Sequence, residues 1–155
     1  MQGIFVPLLA GLLGTAVMTL LLMAPHWMGL PRVDLIRALG SYVTKNRETA
    51  FGPGMTLNFI LGALFGYVYY WGYRFTGVPL TPLFGMAGGA VHGAMVMLFA
   101  VVAILEHHPD KRYQQRGPMT AFAQLLGHIV YGLVVGTVCY NLAPNYLSDI
   151  QHISQ

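Results

Sequence analysis

Charge is what this sequence has least of. Its 155 residues include 8 Lys and Arg and 5 Asp and Glu, so 8% of the chain is charged while 55% is hydrophobic. A soluble domain carries roughly a quarter charged residues, and a chain this poor in charge cannot clothe a water-facing surface. Cysteine is almost missing as well. The single Cys139 excludes an intrachain disulfide, and its place inside an apolar run carries no information about redox compartment. Catalytic signatures are absent: there is no phosphate-binding Gly-rich loop, no HExxH and no paired carboxylates. Asp34, Glu48, Glu106, Asp110 and Asp149 all fall outside the apolar runs. A carboxylate inside the membrane for proton coupling is therefore missing, which counts against a proton-driven transporter.

What is present is long uncharged runs. They cover residues 4–23, 55–73, 83–105 and 119–142. Each is near the roughly 20 residues that cross about 30 Å of hydrocarbon at 1.5 Å per residue. Backbone groups in lipid must be satisfied within the segment, and the period-two alternation of a membrane barrel is lacking, so the runs should be helices. The expected fold is an all-α membrane protein, with four transmembrane helices in one compact domain spanning residues 1–155. Residues 1–7 contain no Lys or Arg, so the first run lacks the basic start of a signal peptide and reads as a retained helix.

The few charges then report topology. Arg32, Arg37, Lys45 and Arg47 lie in the first connection, residues 24–54, and Lys111, Arg112 and Arg116 in the third, residues 106–118; Arg74 is the other basic residue. The positive-inside rule puts those two loops in the cytoplasm and both termini outside. This distribution also explains the net charge of +3 without a nucleic-acid partner, because the basic residues form no stripe. Tyr67, Tyr69, Tyr70, Trp71 and Tyr73 crowd the outer end of the second run, Tyr140 and Tyr146 mark the outer end of the fourth, and Trp27 follows the first. Such rings prefer the headgroup level. Within the first loop, Pro31 can open a short amphipathic helix. Leu35, Ile36, Leu39, Tyr42 and Val43 share its apolar face. That helix either lies on the cytoplasmic interface or caps the bundle.

The runs also repeat. AGLLGTAVMTLLLM from Ala10 aligns without gaps on FGMAGGAVHGAMVM from Phe84, and NFILGALFGYVYY from Asn58 on HIVYGLVVGTVCY from His128. The order is shared and the two offsets nearly equal, so the chain reads as a duplicated helical hairpin, with halves at about residues 1–77 and 78–155. Halves of two helices keep their orientation, which makes the repeat parallel. Small residues recur along each run: Gly11 and Gly14, Gly62 and Gly66, Gly85 and Gly89, Gly132 and Gly136. In lipid such residues let helix backbones approach closely, and Gly62/Gly66 and Gly132/Gly136 each form a GxxxG.

With GLLGTAVM in its first helix and HIVYGLVVG in its last, the chain resembles a group of small four-helix bacterial and archaeal integral membrane proteins of uncharacterised function. The resemblance covers most of the chain. It implies the fold and a prokaryotic plasma (inner) membrane, and it supplies no activity.

Two histidines stand inside the runs. In the repeat, His92 takes the place of Met18, and His128 that of Asn58. An ionisable side chain at such depth is a functional candidate. One reading is a haem b held by His92 and His128, since iron accepts axial His and bundles build cofactor sites between facing helices. Depth counted from the run centres separates the two by roughly 7 Å, an imperfect match. The other reading is polar glue, each imidazole bonding across helices, with Asn58 and Gln124 as further polar core residues. A second group, His26, His107 and His108 beside Glu106, could hold copper with some of the nine methionines, although no HxxxH, CxxC or MxxM spacing organises it. The leading expectation is a non-catalytic accessory or scaffold subunit of a larger membrane complex, respiratory or electron-transfer in one version, without a cofactor. Its partners would be the lipid bilayer and other membrane subunits or further copies of itself. The alternatives are a haem- or metal-binding membrane protein and a small transporter with a polar path along Thr15, Asn58, Gln124 and His128.

Overall fold

The computed structural model describes residues 2–27, 35–98, 107–114 and 118–143. Among them every regular element is helical: α1 (Gln2–Trp27), α2 (Leu35–Thr44), α3 (Phe51–Thr76), α4 (Pro82–Val96), a 3-10 turn at Lys111–Tyr113, and α5 (Pro118–Leu142). Three helices are long and apolar enough to cross a membrane, at Gly3–Ala24, Phe51–Thr76 and Ala121–Leu142. The third expected run, 83–105, begins as α4 and a π turn at 97–98, and its remainder lies outside the described residues.

Local chemistry sets the ends. α4 starts where Thr81, in extended backbone, accepts a hydrogen bond from the Phe84 amide with Pro82 following it; the hydroxyl satisfies an orphan donor and proline tolerates the first helical position. α3 ends at Gly77, whose φ of 70° is the left-handed conformation that glycine adopts freely. α3 outruns the expected 55–73 at both ends, because Gly and Pro in its first turn and a glycine past its last are compatible with helix termini.

Glycine governs how the helices pair. α1 and α3 run antiparallel. A Cβ on Gly11 would land on the Gly62 carbonyl and 2.9 Å from the Ala63 Cα, and one on Gly66 would meet the Pro7 carbonyl and lie 2.7 Å from the Gly11 Cα. α4 and α5 pair likewise. A Cβ on Gly85 would land on the Gly132 carbonyl, and one on Gly136 would lie 3.2 Å from the Gly85 Cα. α1 and α5 join the two pairs, with Gly14 seated on the Tyr131 ring and Gly127 on Met18 and Leu22. Between α3 and α4 the contact is made by rings instead: Gly88 faces Tyr69 and Tyr73, and the Tyr73 hydroxyl donates to the Phe84 carbonyl. This corrects part of the aromatic pattern. Tyr69 and Tyr70 are buried and fill the interior, because glycines on the neighbouring helices leave room for them.

α2 covers one end. Gly40 and Gly54 meet almost backbone to backbone, their missing Cβ atoms facing the carbonyls of Ala50 and Ile36. The expected start at Pro31 lies outside the described residues. The expected apolar face splits: Leu35, Ile36 and Leu39 turn inward, whereas Tyr42 and Val43 are exposed. The Gly40–Gly54 approach sets this orientation, since it rotates the small residues of α2 onto α3. Residues 107–114 fold over the far side, where the buried His108 ring lies 3.0 Å from the Ser41 Oγ. The first and third connections therefore meet at the same end of the molecule.

The outward faces are apolar. Phe5, Leu20, Ile60, Leu64, Val91 and Met95 are among many large hydrophobic side chains left exposed, as suits a surface solvated by lipid rather than water.

Candidate functional site

A cavity of about 230 Å³ lies between the helices beneath α2. Its polar lining comes from Thr15 and Thr19 on α1, Asn58 on α3, His92 on α4, and Gln124, His128 and Tyr131 on α5. Spacing explains the convergence. Thr15 and Thr19 follow Gly11 by one and two turns, and Gln124, His128 and Tyr131 rise along one stripe of α5. Each stripe continues the glycine seam that binds its helix to a neighbour, so the seams carry the polar residues inward.

The hydrogen bonds define which polar atoms are engaged. Thr15 donates back to the Gly11 carbonyl at 2.8 Å. Asn58 Nδ2 donates to Thr19 Oγ1 at 3.1 Å, and the Tyr131 hydroxyl donates across the bundle to the Gly62 carbonyl at 2.6 Å. His128 Nδ1 lies 2.7 Å from the Gln124 carbonyl. A carbonyl only accepts, so Nδ1 carries the proton and, in the neutral ring, Nε2 presents a lone pair. His92 Nδ1 lies 3.4 Å from the Tyr69 hydroxyl. Among the described residues the Gln124 side-chain amide has no hydrogen-bond partner, although the residue is only 6% exposed.

His92 and His128 are in direct contact, ring centres 4.7 Å apart and planes at 71°. The depth offset counted from the run centres is therefore not what the structure has. The Gly89 and Gly93 positions of α4 lie directly on the backbone and Cβ of His128, so the glycine seam, and not a common midplane, sets the register of α4 against α5. The same contact bears on haem. Metal–imidazole bonds of about 2.0 Å on opposite faces of a porphyrin put ring centres roughly 6 Å apart, with the macrocycle between them. As placed, these rings pack edge to face, and the Phe65 ring also packs against His92, with ring centres 4.1 Å apart. The pair does not fit a porphyrin between its rings.

The second histidine group is dispersed. His107 is exposed and His108 buried; the side chain of His26 and all of Glu106 lie outside the described residues. Among the described residues no group of three or more His, Cys, Asp or Glu could hold a metal ion. His108 instead ties the 107–114 segment to α2, with the Asp110 amide donating to its Nδ1 at 3.0 Å and Tyr42 and Tyr113 edge-on to its ring.

Of the residues singled out from sequence, the structure brings Thr15, Asn58, His92, Gln124 and His128 to one cavity. Thr19 and Tyr131 were not singled out. Their signal was present in the helical spacing, one turn beyond Thr15 and beyond His128, but hydroxyl side chains at such positions are common in any bundle.

A match to the family described as "Family of unknown function (DUF6789)" covers residues 1–149, and the chain belongs to that family. No curated protein matches it, and no solved structure does.

Proposed function

We propose that this member of a family of unknown function is a four-span, non-catalytic integral membrane protein whose helices enclose a binding site for a small hydrogen-bonding molecule. The observation that carries the reading is the cavity between α1, α3, α4 and α5, with the side-chain amide of Gln124, which has no hydrogen-bond partner among the described residues, on its wall. A polar group in such a place costs free energy unless something completes its hydrogen bonds. A purely scaffolding subunit would have no use for the cavity; a subunit contributing a bound small molecule to a larger assembly would. The reading needs no reaction centre within this chain.

Duplication of a hairpin belongs to the same proposal. Gly11 faces Gly62 as Gly85 faces Gly132, and the Pro7 and Thr81 carbonyls stand at equivalent places beside Gly66 and Gly136. The two halves differ where the cavity lies. His92 and His128 occupy one half, Met18 and Asn58 the other, so divergence of the repeat brought the two histidines to the lining.

The test is purification from the native membrane followed by extraction and mass spectrometry of non-covalently bound molecules. One small molecule recovered in stoichiometric amount, and lost from a variant with Leu at Gln124, is the expected result. Protein subunits recovered with no such molecule would return the protein to the scaffold role.

Topology gives a separate expectation. Loops 24–54 and 106–118 should be cytoplasmic and both termini outside, because seven of the eight basic residues lie in those loops. A cysteine placed near Gln155 should react with an impermeant thiol reagent in intact cells. Protection that disappears on lysis would reverse the orientation.

A further inference from the structure

We propose, resting on the binding role above, that the cavity takes the head of a neutral single-tailed lipid bearing carbonyl or hydroxyl oxygen. Four observations narrow the ligand to this class.

Charge comes first. Among the described residues no Asp, Glu, Lys or Arg lines the cavity. A charged ligand there would be desolvated without a counter-ion, which is far costlier than placing a neutral one. The unengaged atoms come second. The Gln124 amide offers two donors and an acceptor, and the inferred tautomer of His128 leaves Nε2 as an acceptor. Such a wall suits oxygen groups that accept, as a carbonyl does, or both donate and accept, as a hydroxyl does. A purely apolar molecule would leave Gln124 as it is.

Size is the third. About 230 Å³ lies below the roughly 300 Å³ at which pockets for drug-sized molecules begin. The cavity holds a head group, not a whole lipid. The fourth is the rest of the lining, which is apolar: Met18, Leu22, Met23, Phe65 and Val96, with Leu35, Ile36 and Leu39 of α2. Leu61, which also lines the cavity, is 42% exposed, so the cavity wall reaches the protein surface there. An alkyl or prenyl tail would meet apolar side chains beside the head position.

Thermal unfolding in lipid nanodiscs tests this with three probes of one tail length: a decyl-substituted benzoquinone, decanol and decyl phosphate. At a hundredfold excess over Kd, a neutral probe should raise Tm by on the order of 5 °C or more. Decyl phosphate should not. The stronger shift of the two neutral probes tells a ring head from a linear one. Gln124→Leu should abolish the shift, because it removes the amide that meets the oxygen of the ligand. Gln124→Met, closer in shape, should do the same and serves if the leucine variant does not fold. Shifts that persist in both variants, or a phosphate shift equal to the neutral ones, would overturn the proposal. If no probe shifts Tm while a charged or metal-containing molecule copurifies with the native protein, this inference falls and the binding role stands. No shift and no copurifying molecule would sink both.

Discussion

Alanine at Gly132 is expected to unfold the α4–α5 pair, whereas alanine at Gly72 is expected to stabilise the protein. Both changes add one methyl group to a helix, so their contrast isolates the packing. At Gly132 the new Cβ would fall on the Gly85 carbonyl and 2.9 Å from the Gly89 Cα. These are backbone atoms, which no rotamer change can move aside. The helices must separate, with an overpacking cost of about 3 kcal/mol or more and loss of the interhelical contacts that drive association in lipid. At Gly72 nothing lies within 4 Å of the added group, and replacing a helical glycine by alanine gains roughly 0.5–1 kcal/mol. Unfolding in mixed micelles, followed by circular dichroism, reads both. Equal stability of the two variants would show that the seam is not a close backbone contact.

His108→Ala should release α2 from the bundle without unfolding the long helices. The network around this ring is self-consistent. The Asp110 amide donates to Nδ1 at 3.0 Å, so the neutral ring carries its proton on Nε2. That proton is directed to Ser41 Oγ at 3.0 Å, and the serine in turn donates to the Ala38 carbonyl at 2.8 Å. Removing the imidazole leaves buried donors and acceptors without partners and a void beside Tyr42 and Tyr113. Together these cost about 2–3 kcal/mol, or on the order of a hundredfold in the local opening equilibrium. Hydrogen exchange should accelerate by that factor in residues 36–44 and stay unchanged in the middle of α1. His107→Ala, at an exposed neighbouring position, should change exchange little. Equal acceleration throughout all helices would mean that α2 is not a separate unit of stability.

The class of the fold was legible because a bilayer imposes a simple constraint. Uncharged runs near 20 residues, flanked by Arg and Lys, have few structural solutions, and three of them form helices long and apolar enough to span. The glycines were legible as a pattern too, since small residues at helical spacing stand out in an apolar sequence. Which glycine meets which backbone was not, because GxxxG states that a close approach is possible without naming the partner.

Register separates what the residues determined from what the fold decided. The sequence by itself determined that His92, His128, Asn58 and Gln124 lie within apolar runs, because that is a property of neighbours along the chain. Only the tertiary structure decided that the two imidazoles touch, at 4.7 Å between ring centres. Sliding α4 by one turn against α5 would part them, and no count of residues from a run's centre detects such a slide. The same holds for Tyr69, which stands among headgroup-type aromatics in sequence and is buried beside His92 in the fold. It holds as well for α2, whose apolar face was visible but whose seat was not. Periodicity along one helix fixes which side chains share a face. The close approach of Gly40 to Gly54, and of Gly89 to the backbone of His128, fixes what that face meets.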